Sequence, residues 1–174
     1  SKGERRRDNS RYQLKACALN NSVNGDPKYD DDLFLVMDNA IDKGFAFGHG
    51  NGTNHHYGYN VRKIYDAMWL MRDKIAQRGK TDEYVRVLAY WSGLSETRKP
   101  YVYGRDELLD SWHTLLMPKL ISALMLPTEA EQYRAMKGLS RWMSGSLDFT
   151  PGTIGGIKVE GTTFHHGGLY PAYS

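Results

Sequence analysis

Apolar residues recur at three- and four-residue spacing over most of the chain, which is the pattern of amphipathic helices. The first clear stripe lies in DDDLFLVMDNAIDKG, where three aspartates suit a helix N-terminus and Gly44 suits the end. A second stripe runs over residues 59–77 and includes the extra apolar residues 69–71 (Trp-Leu-Met). This width predicts a helix buried on more than one side. Residues 8–20 are a further, shorter helix candidate.

Three more helices are predicted in the middle of the chain. One of these helices is predicted to begin at the Thr-Asp-Glu sequence of residues 81–83. Its stripe of apolar residues continues to residue 94. Residues 106–124 carry another stripe, which Pro118 is expected to kink. Thr128 and Glu131 then form a capping box for the last helix.

Two glycine-rich segments interrupt this helical pattern. They are FAFGHGNGTNHHYGY and, after Asp148, FTPGTIGGIKVEGTTFHHGGLYP. Neither has a clear period, so both are predicted to be long ordered loops, which are usually functional. The sequence thus indicates an all-α fold in one domain over residues 1–174, with helical hairpins stacked antiparallel or arranged as a toroid.

The composition fits a globular domain, with 40% hydrophobic and 25% charged residues in 174. No apolar run approaches the roughly 18 residues of a membrane span, and the basic start SKGERRRDNS lacks the apolar core of a signal peptide. A net charge of +3 with scattered cations argues weakly for a polyanionic partner and does not indicate nucleic acid. Cys17 is the single cysteine, so it has no partner for an internal disulfide or a zinc site.

Proton-handling side chains crowd into the last segment, GTTFHHGGLYPAYS. His165 and His166 can change charge near neutral pH, and a tuned tyrosine such as Tyr170 or Tyr173 can act as acid or base. The adjacent glycines permit close approach of a ligand. A turn that merely packs on the helices is the alternative, and the spacing alone does not separate the two interpretations.

An earlier histidine pair in the chain lies just before the predicted helix start near Tyr59. Asn54, His55 and His56 would place neutral donors at a helix N-terminus, which suits a carboxylate. Loop packing is one alternative. A metal site is disfavoured because neighbouring side chains point apart and no cysteine or clear carboxylate is spaced with them. His113 is predicted to be structural.

These motifs resemble a known family. The segment GTTFHHGGLYPAYS is similar to the active-site signature of the broad-specificity chondroitin sulfate ABC lyases, in the polysaccharide lyase family that also holds chondroitin AC and hyaluronate lyases. The earlier segment KGFAFGHGNGTNHHYGYNVRKIYDAMWLM resembles an upstream loop of the same enzymes. Both motifs occur in the family's order, and the stretch between them fits more weakly.

The resemblance implies roles for individual residues. Tyr173 matches the tyrosine that transfers a proton as base or acid. His166 matches its histidine partner, or the base for one uronate epimer, and His165 matches a neighbouring position that contacts the sugar acid. The upstream loop implies neutralisation of the uronate carboxylate by one of three residues: Asn54, His55 or His56.

The chain also departs from the family pattern. The family's tetrad includes an arginine and a glutamate well downstream of the tyrosine, and nothing here matches them. Family members are several times longer, with an N-terminal jelly-roll domain and C-terminal β-sheet domains. The chain is therefore expected to be part of the central helical domain, an incomplete (α/α) toroid truncated on its C-terminal side. Its implied partner is the remainder of the parent lyase, in a secreted or periplasmic bacterial enzyme.

The implied reaction is β-elimination at a uronic acid of chondroitin or dermatan sulfate, with hyaluronan as a further candidate. It requires a neutralised carboxylate, a base and an acid, and no redox cofactor or catalytic metal. Two alternatives remain at this point. A glycoside hydrolase would need paired carboxylates, for which the loops offer only Asp148 and Glu160. A non-catalytic helical module that binds acidic polysaccharide is the other.

Overall fold

The chain folds as a set of packed helices with one small sheet. The computed structural model describes residues 15–50, 54–103 and 108–171, and it describes only the backbone of residues 54–57 and 60. The helices are α1 (described over 15–24), α2 (Asp30–Asp42), α3 (Asn54–Leu70), α4 (Arg72–Gln77), α5 (Thr81–Trp91), α6 (Leu108–Leu124) and α7 (Glu129–Ser146). The strands are β1 (Gly156–Ile157), β2 (Thr163–His165) and β3 (Gly168–Leu169).

The predicted helical class is confirmed, with one exception after Asp148. This segment, predicted to be a loop, forms a three-stranded antiparallel sheet in the order β1-β2-β3. The strands are only two or three residues long, too short to show an alternating pattern in the sequence. Within the described part of the chain, no helix is long and apolar enough to cross a membrane.

Several helix boundaries differ from the sequence prediction. The helix expected to start near Tyr59 begins at Asn54, and it is interrupted at Met71, where the backbone leaves the helical region. Gly79 ends α4 in a left-handed conformation, as its position predicted. Helix α6 continues through Pro118, the position at which the sequence predicts a kink.

The start of α7 confirms the predicted cap. The Thr128 hydroxyl accepts a hydrogen bond from the Glu131 backbone N–H at 3.2 Å and donates one to the Glu131 carboxylate at 2.7 Å. The cap satisfies one of the backbone donors that a helix N-terminus leaves without an intrahelical partner.

The main core lies where α2, α3, α4 and α5 meet, with α1 and the end of α6 closing it. The Tyr65 hydroxyl is buried there and donates to the Leu88 carbonyl at 2.8 Å. The first glycine-rich segment also contributes, because Phe45 stacks on Trp91 with ring centroids 5.8 Å apart. The start of this loop is therefore anchored in the core.

A buried lysine fixes the corner between α5 and α6. Lys119 is 1% exposed, and its ammonium donates to the Ser92 carbonyl at 2.5 Å and lies 3.6 Å from the Glu96 carboxylate. A buried charge is costly unless it is paired and hydrogen-bonded, so these contacts explain how a lysine is accommodated in the interior.

Helices α3 and α6 approach closely at Gly58. A Cβ atom at this position would lie 2.2 Å from the Thr114 hydroxyl oxygen and 2.5 Å from the Thr114 Cβ. The Thr114 hydroxyl donates to the Asp110 carbonyl at 2.7 Å, so it is held in place. Glycine is therefore the residue that permits this helix contact.

Substitution Gly58→Ala should destabilise the fold by about 1–3 kcal/mol, because the added methyl overpacks the α3–α6 contact. The measurement is the free energy of unfolding in denaturant. Gly145→Ala is the matched control, since a Cβ there would lie 3.4 Å from the Tyr101 Cβ and 4.0 Å from the Tyr101 backbone nitrogen, which are ordinary contacts. The control should be neutral or stabilising by about 0.5–1 kcal/mol through helix propensity. Equal effects at both positions would contradict the close-packing argument.

Alkaline pH should destabilise the fold through Tyr65. Burial raises the pKa of this phenol above its ordinary value of 10.0, so the unfolded chain releases the proton first. The stability that the protonated Tyr65 phenol gives the fold is fully present below pH 10.0. It is lost as the pH rises above this value. Tyr65→Phe should reduce this pH dependence and cost about 1 kcal/mol at neutral pH through the lost hydrogen bond. Unfolding free energies across the alkaline range test this, with exposed Tyr133→Phe as a control that should follow the wild type.

Candidate active site

The second histidine pair lies at a tight β-hairpin. His165 pairs with Gly168 across β2 and β3, which leaves His166 and Gly167 as a two-residue turn. Both turn residues have positive φ, +50° for His166 and +77° for Gly167. This is the requirement of a type I′ turn, which matches the twist of the flanking strands. The HHGG sequence thus encodes the hairpin as well as placing two imidazoles on it.

The turn brings the two imidazoles together. His165 is buried and His166 is exposed, yet their ring centroids are 3.7 Å apart. Tyr170 lies edge-on to both rings, at 5.3 Å from His165 and 6.2 Å from His166. Adjacent side chains on a regular strand point to opposite faces, so the left-handed backbone at His166 is what allows this cluster.

A buried lysine supports the loop that leads to the hairpin. The Lys158 ammonium donates to the carbonyls of Thr150 and Ile154 at 3.2 and 2.5 Å. It also lies 5.0 Å from the Phe164 ring centroid, and Phe164 sits between Thr163 and His165 on β2. Because neighbouring strand residues face opposite ways, Lys158 and Phe164 support the strand on one side while His165 faces the other.

Asp110 of α6 connects the hairpin to α3. Its carboxylate oxygen Oδ2 is 3.4 Å from His165 Nε2, and its Oδ1 accepts a hydrogen bond from the Tyr59 hydroxyl at 3.1 Å. The Tyr59 ring in turn lies 5.7 Å from the ring of His113. Three separate parts of the chain therefore meet at one buried carboxylate.

An apolar cavity of about 340 Å³ adjoins this cluster. The strand residue Thr163 lines it, and His165 lies two positions further on the same strand face. The lining residues are Leu108, Leu109, Trp112, His113, Ser146, Leu147, Ile157 and Thr163. The Trp112 indole donates to Ser146 at 2.9 Å and is thereby held at the cavity wall.

The first histidine pair is placed differently from the prediction. Asn54, His55 and His56 form the first turn of α3, whereas the sequence placed them in a loop before it. His55 precedes Tyr59 by four residues and so lies on the same helix face, one turn away. The backbone of this turn therefore lies close to the Tyr59–Asp110 contact. Tyr173 lies outside the described residues.

Sequence reasoning missed three members of the cluster: Tyr59, Asp110 and His113. His113, which the sequence predicts to be structural, is exposed and lies against Tyr59. Asp110 had a detectable signal, since it is a charged residue within the run LLDSWHTLL, which leucine pairs flank on both sides. A carboxylate in such a run is buried only when it has partners, and the partners come from distant parts of the chain.

The cluster contains groups that can move protons and bind anions. Its three imidazoles and two phenols can donate or accept protons, and its carboxylate can orient a neighbouring imidazole. Asp110, His165 and His166 also present one ligand atom each, all within 4.8 Å of one another, which could hold a divalent cation.

Comparisons with known proteins were consistent with one another. A family model described as "Lyase, catalytic" matches residues 13–174. The chain is similar to the Chondroitin sulfate ABC exolyase of Bacteroides thetaiotaomicron, with 39% identity over 163 residues, 91% of this chain and 16% of that protein. It is also similar to the Chondroitin sulfate ABC endolyase of Proteus vulgaris, with 29% identity over 145 residues, 82% of this chain and 14% of that protein. The chain thus spans 14–16% of the length of these relatives.

The backbone role of His166 can be separated from its chemistry. His166→Gly should be more stable than His166→Ala by about 1 kcal/mol, because glycine adopts the left-handed conformation without a steric cost. The same pair of substitutions at His113, which is exposed within α6, should show the opposite order by about 1 kcal/mol. Denaturant unfolding of the four variants tests this. The same order at both positions would contradict the assigned turn.

Proposed function

The chain belongs to the catalytic lyase family, and from this membership we propose that it is part of an enzyme that cleaves chondroitin and dermatan sulfate by β-elimination. The relatives named as chondroitin sulfate ABC lyases support this substrate class, with hyaluronan as a further candidate. The observation that carries the proposal is the match over residues 13–174, which includes both histidine pairs.

The reaction first requires neutralisation of the uronate carboxylate. The proton at C5 is only weakly acidic while the adjacent carboxylate is charged, so hydrogen-bond donors must stabilise the negative charge that develops. We assign this role to the first turn of α3, which contains Asn54, His55 and His56. The free backbone N–H groups of a helix N-terminus favour an anion at this position.

Proton transfer then needs a base and an acid. We assign these roles to His166 and Tyr173, and contact with the sugar acid to His165. A base removes the C5 proton, the C4–O bond breaks as a double bond forms between C4 and C5, and an acid protonates the departing oxygen. Glucuronate and iduronate present C5–H on opposite faces, so two candidate bases would serve both epimers.

The geometry of the described residues supports a common site. His165 contacts Asp110, which binds Tyr59, and Tyr59 lies one helical turn from His55. These contacts support the proposal that the two histidine segments contact one sugar ring from different sides. The exposed position of His166 at the hairpin tip leaves its imidazole accessible to a polymer substrate.

The wider context of the proposal follows from the family. The seven helices would form part of an (α/α) toroid of antiparallel hairpins, and the remainder of the parent lyase would supply the downstream arginine and glutamate. We propose a secreted or periplasmic enzyme that requires no cofactor for catalysis. Glycosaminoglycan is the proposed partner, and nucleic acid is not.

A glycoside hydrolase finds less support. Such enzymes need two carboxylates at the cleaved bond. Among the described side chains around His165 and His166, Asp110 supplies the carboxylate that lies in contact with the pair. Its two oxygens face Tyr59 and His165. Asp148 and Glu160, the earlier candidates, are both exposed.

The test uses the full-length protein that carries this chain, assayed for the ultraviolet absorbance of unsaturated uronate products from chondroitin and dermatan sulfate. The wild type should form product. Tyr173→Phe and His166→Ala should each lower kcat by about 100-fold or more, since each removes a proton-transfer group. Tyr133→Phe, an exposed tyrosine on α7, is the matched control and should retain full activity.

Two outcomes would contradict the proposal. Binding of chondroitin sulfate with no unsaturated product from the wild type would support the non-catalytic binding module instead. Full activity in both the Tyr173 and His166 variants would show that elimination occurs but that these residues do not carry it.

A further inference from the structure

We propose that Asp110 is a positioning residue of this site, which orients the His165 imidazole and thereby fixes both histidine segments relative to each other. The inference rests on the proposed function, because it assigns Asp110 to the same reaction. Asp110 would not contact the substrate. It would act through Tyr59, which donates a hydrogen bond to one carboxylate oxygen, and through His165, whose Nε2 lies 3.4 Å from the other.

The first support is the burial of the carboxylate. Asp110 is 6% exposed, and its oxygens face Tyr59 at 3.1 Å and His165 at 3.4 Å. Burying a carboxylate costs several kcal/mol unless partners compensate for the lost water. A carboxylate of this cost, buried on α6 just after Leu108 and Leu109, indicates a role that apolar packing does not supply.

The second support is the chemistry at His165. A carboxylate that faces Nε2 favours a proton on that nitrogen, which leaves Nδ1 as the acceptor in the neutral imidazole. Orientation of a histidine by a buried carboxylate is a general device for fixing both its tautomer and its ring plane. Asp110 would therefore hold His165 in one tautomer and one orientation.

The third support is the path from His165 to the proposed base. The His166 ring lies 3.7 Å from the His165 ring, and Tyr170 lies edge-on to both. His165 thus forms the surface against which His166 rests. A rotation of the His165 ring would displace His166 at the exposed turn, where the backbone alone does not determine the imidazole position.

The fourth support is the link to the other histidine pair. Tyr59 donates to the same carboxylate, and α3 carries Asn54, His55 and His56 in the turn before it. One carboxylate therefore connects the hairpin with the proposed carboxylate-binding turn. Displacement of reacting groups by about 1 Å can lower a rate about 100-fold, so this connection has a measurable consequence.

The experiment compares Asp110→Asn with Asp30→Asn in the full-length protein that carries this chain. Asp30 is a matched control, since it is also 6% exposed and is bound by Lys74 and Asn21 on another side of the helical core. Asp110→Asn should lower kcat about 100-fold and change KM by less than about threefold, because ground-state binding is largely retained. Asp30→Asn should retain the wild-type kcat.

A spectroscopic measurement separates positioning from general stability. In the Asp110→Asn variant, the new amide can donate to His165 Nε2 and should shift the imidazole towards the Nδ1–H tautomer. Histidine ¹⁵N NMR on selectively labelled protein reports this tautomer, and His165 is assigned by its loss in His165→Gln. Asp110→Glu keeps the carboxylate and should restore the Nε2–H form. Asp30→Asn should leave the His165 signal unchanged.

The outcomes are distinguishable. If the wild type forms no unsaturated product, the proposed function fails, while the tautomer measurement still tests Asp110. If Asp110→Asn matches Asp30→Asn in both kcat and the His165 tautomer, the inference is overturned. If Asp110→Asn does not fold, Tyr59→Phe replaces it and should lower kcat about tenfold by removing one hydrogen bond to the carboxylate. Wild-type kcat in that variant would equally overturn the inference.

Discussion

The close contact between α3 and α6 at Gly58 and Thr114 is the constraint on which the site depends. Because no Cβ separates the helices there, the next residue, Tyr59, lies near enough to α6 for its hydroxyl to reach Asp110. The same contact determines where the first turn of α3 lies relative to the hairpin. If α3 and α6 lay farther apart, both helices could still form. The two histidine pairs, however, would no longer be held near each other.

Local backbone geometry supplies the second condition. His166 and Gly167 occupy the two left-handed positions of a tight hairpin turn, and this conformation places adjacent imidazoles side by side. The argument that adjacent histidines point apart holds for a regular helix or strand and does not hold at such a turn. The motif therefore has a conformational role in addition to the proton transfer that we propose for it.

Buried charges hold the surroundings of the site in place. Lys119 binds the Ser92 carbonyl at the α5–α6 corner, and Lys158 binds the loop that leads to the hairpin. Asp110 connects α3, α6 and β2. Each charge is compensated by specific partners, so each restricts the chain to one local arrangement, whereas apolar contacts alone would tolerate several.

The sequence by itself determined the helical class, the main helices, the Thr128 cap and the two histidine pairs, because each depends on periodicity or on neighbouring residues. It did not determine the short strands after Asp148, the start of α3 at Asn54, or the contribution of Asp110 and Tyr59. The strands are too short to leave a pattern in the sequence, and the contacts of Asp110 with Tyr59 and His165 join residues about 50 positions apart. Only the tertiary structure decided that one buried carboxylate would join α3 to the hairpin, since no local pattern specifies which distant groups a buried charge will meet.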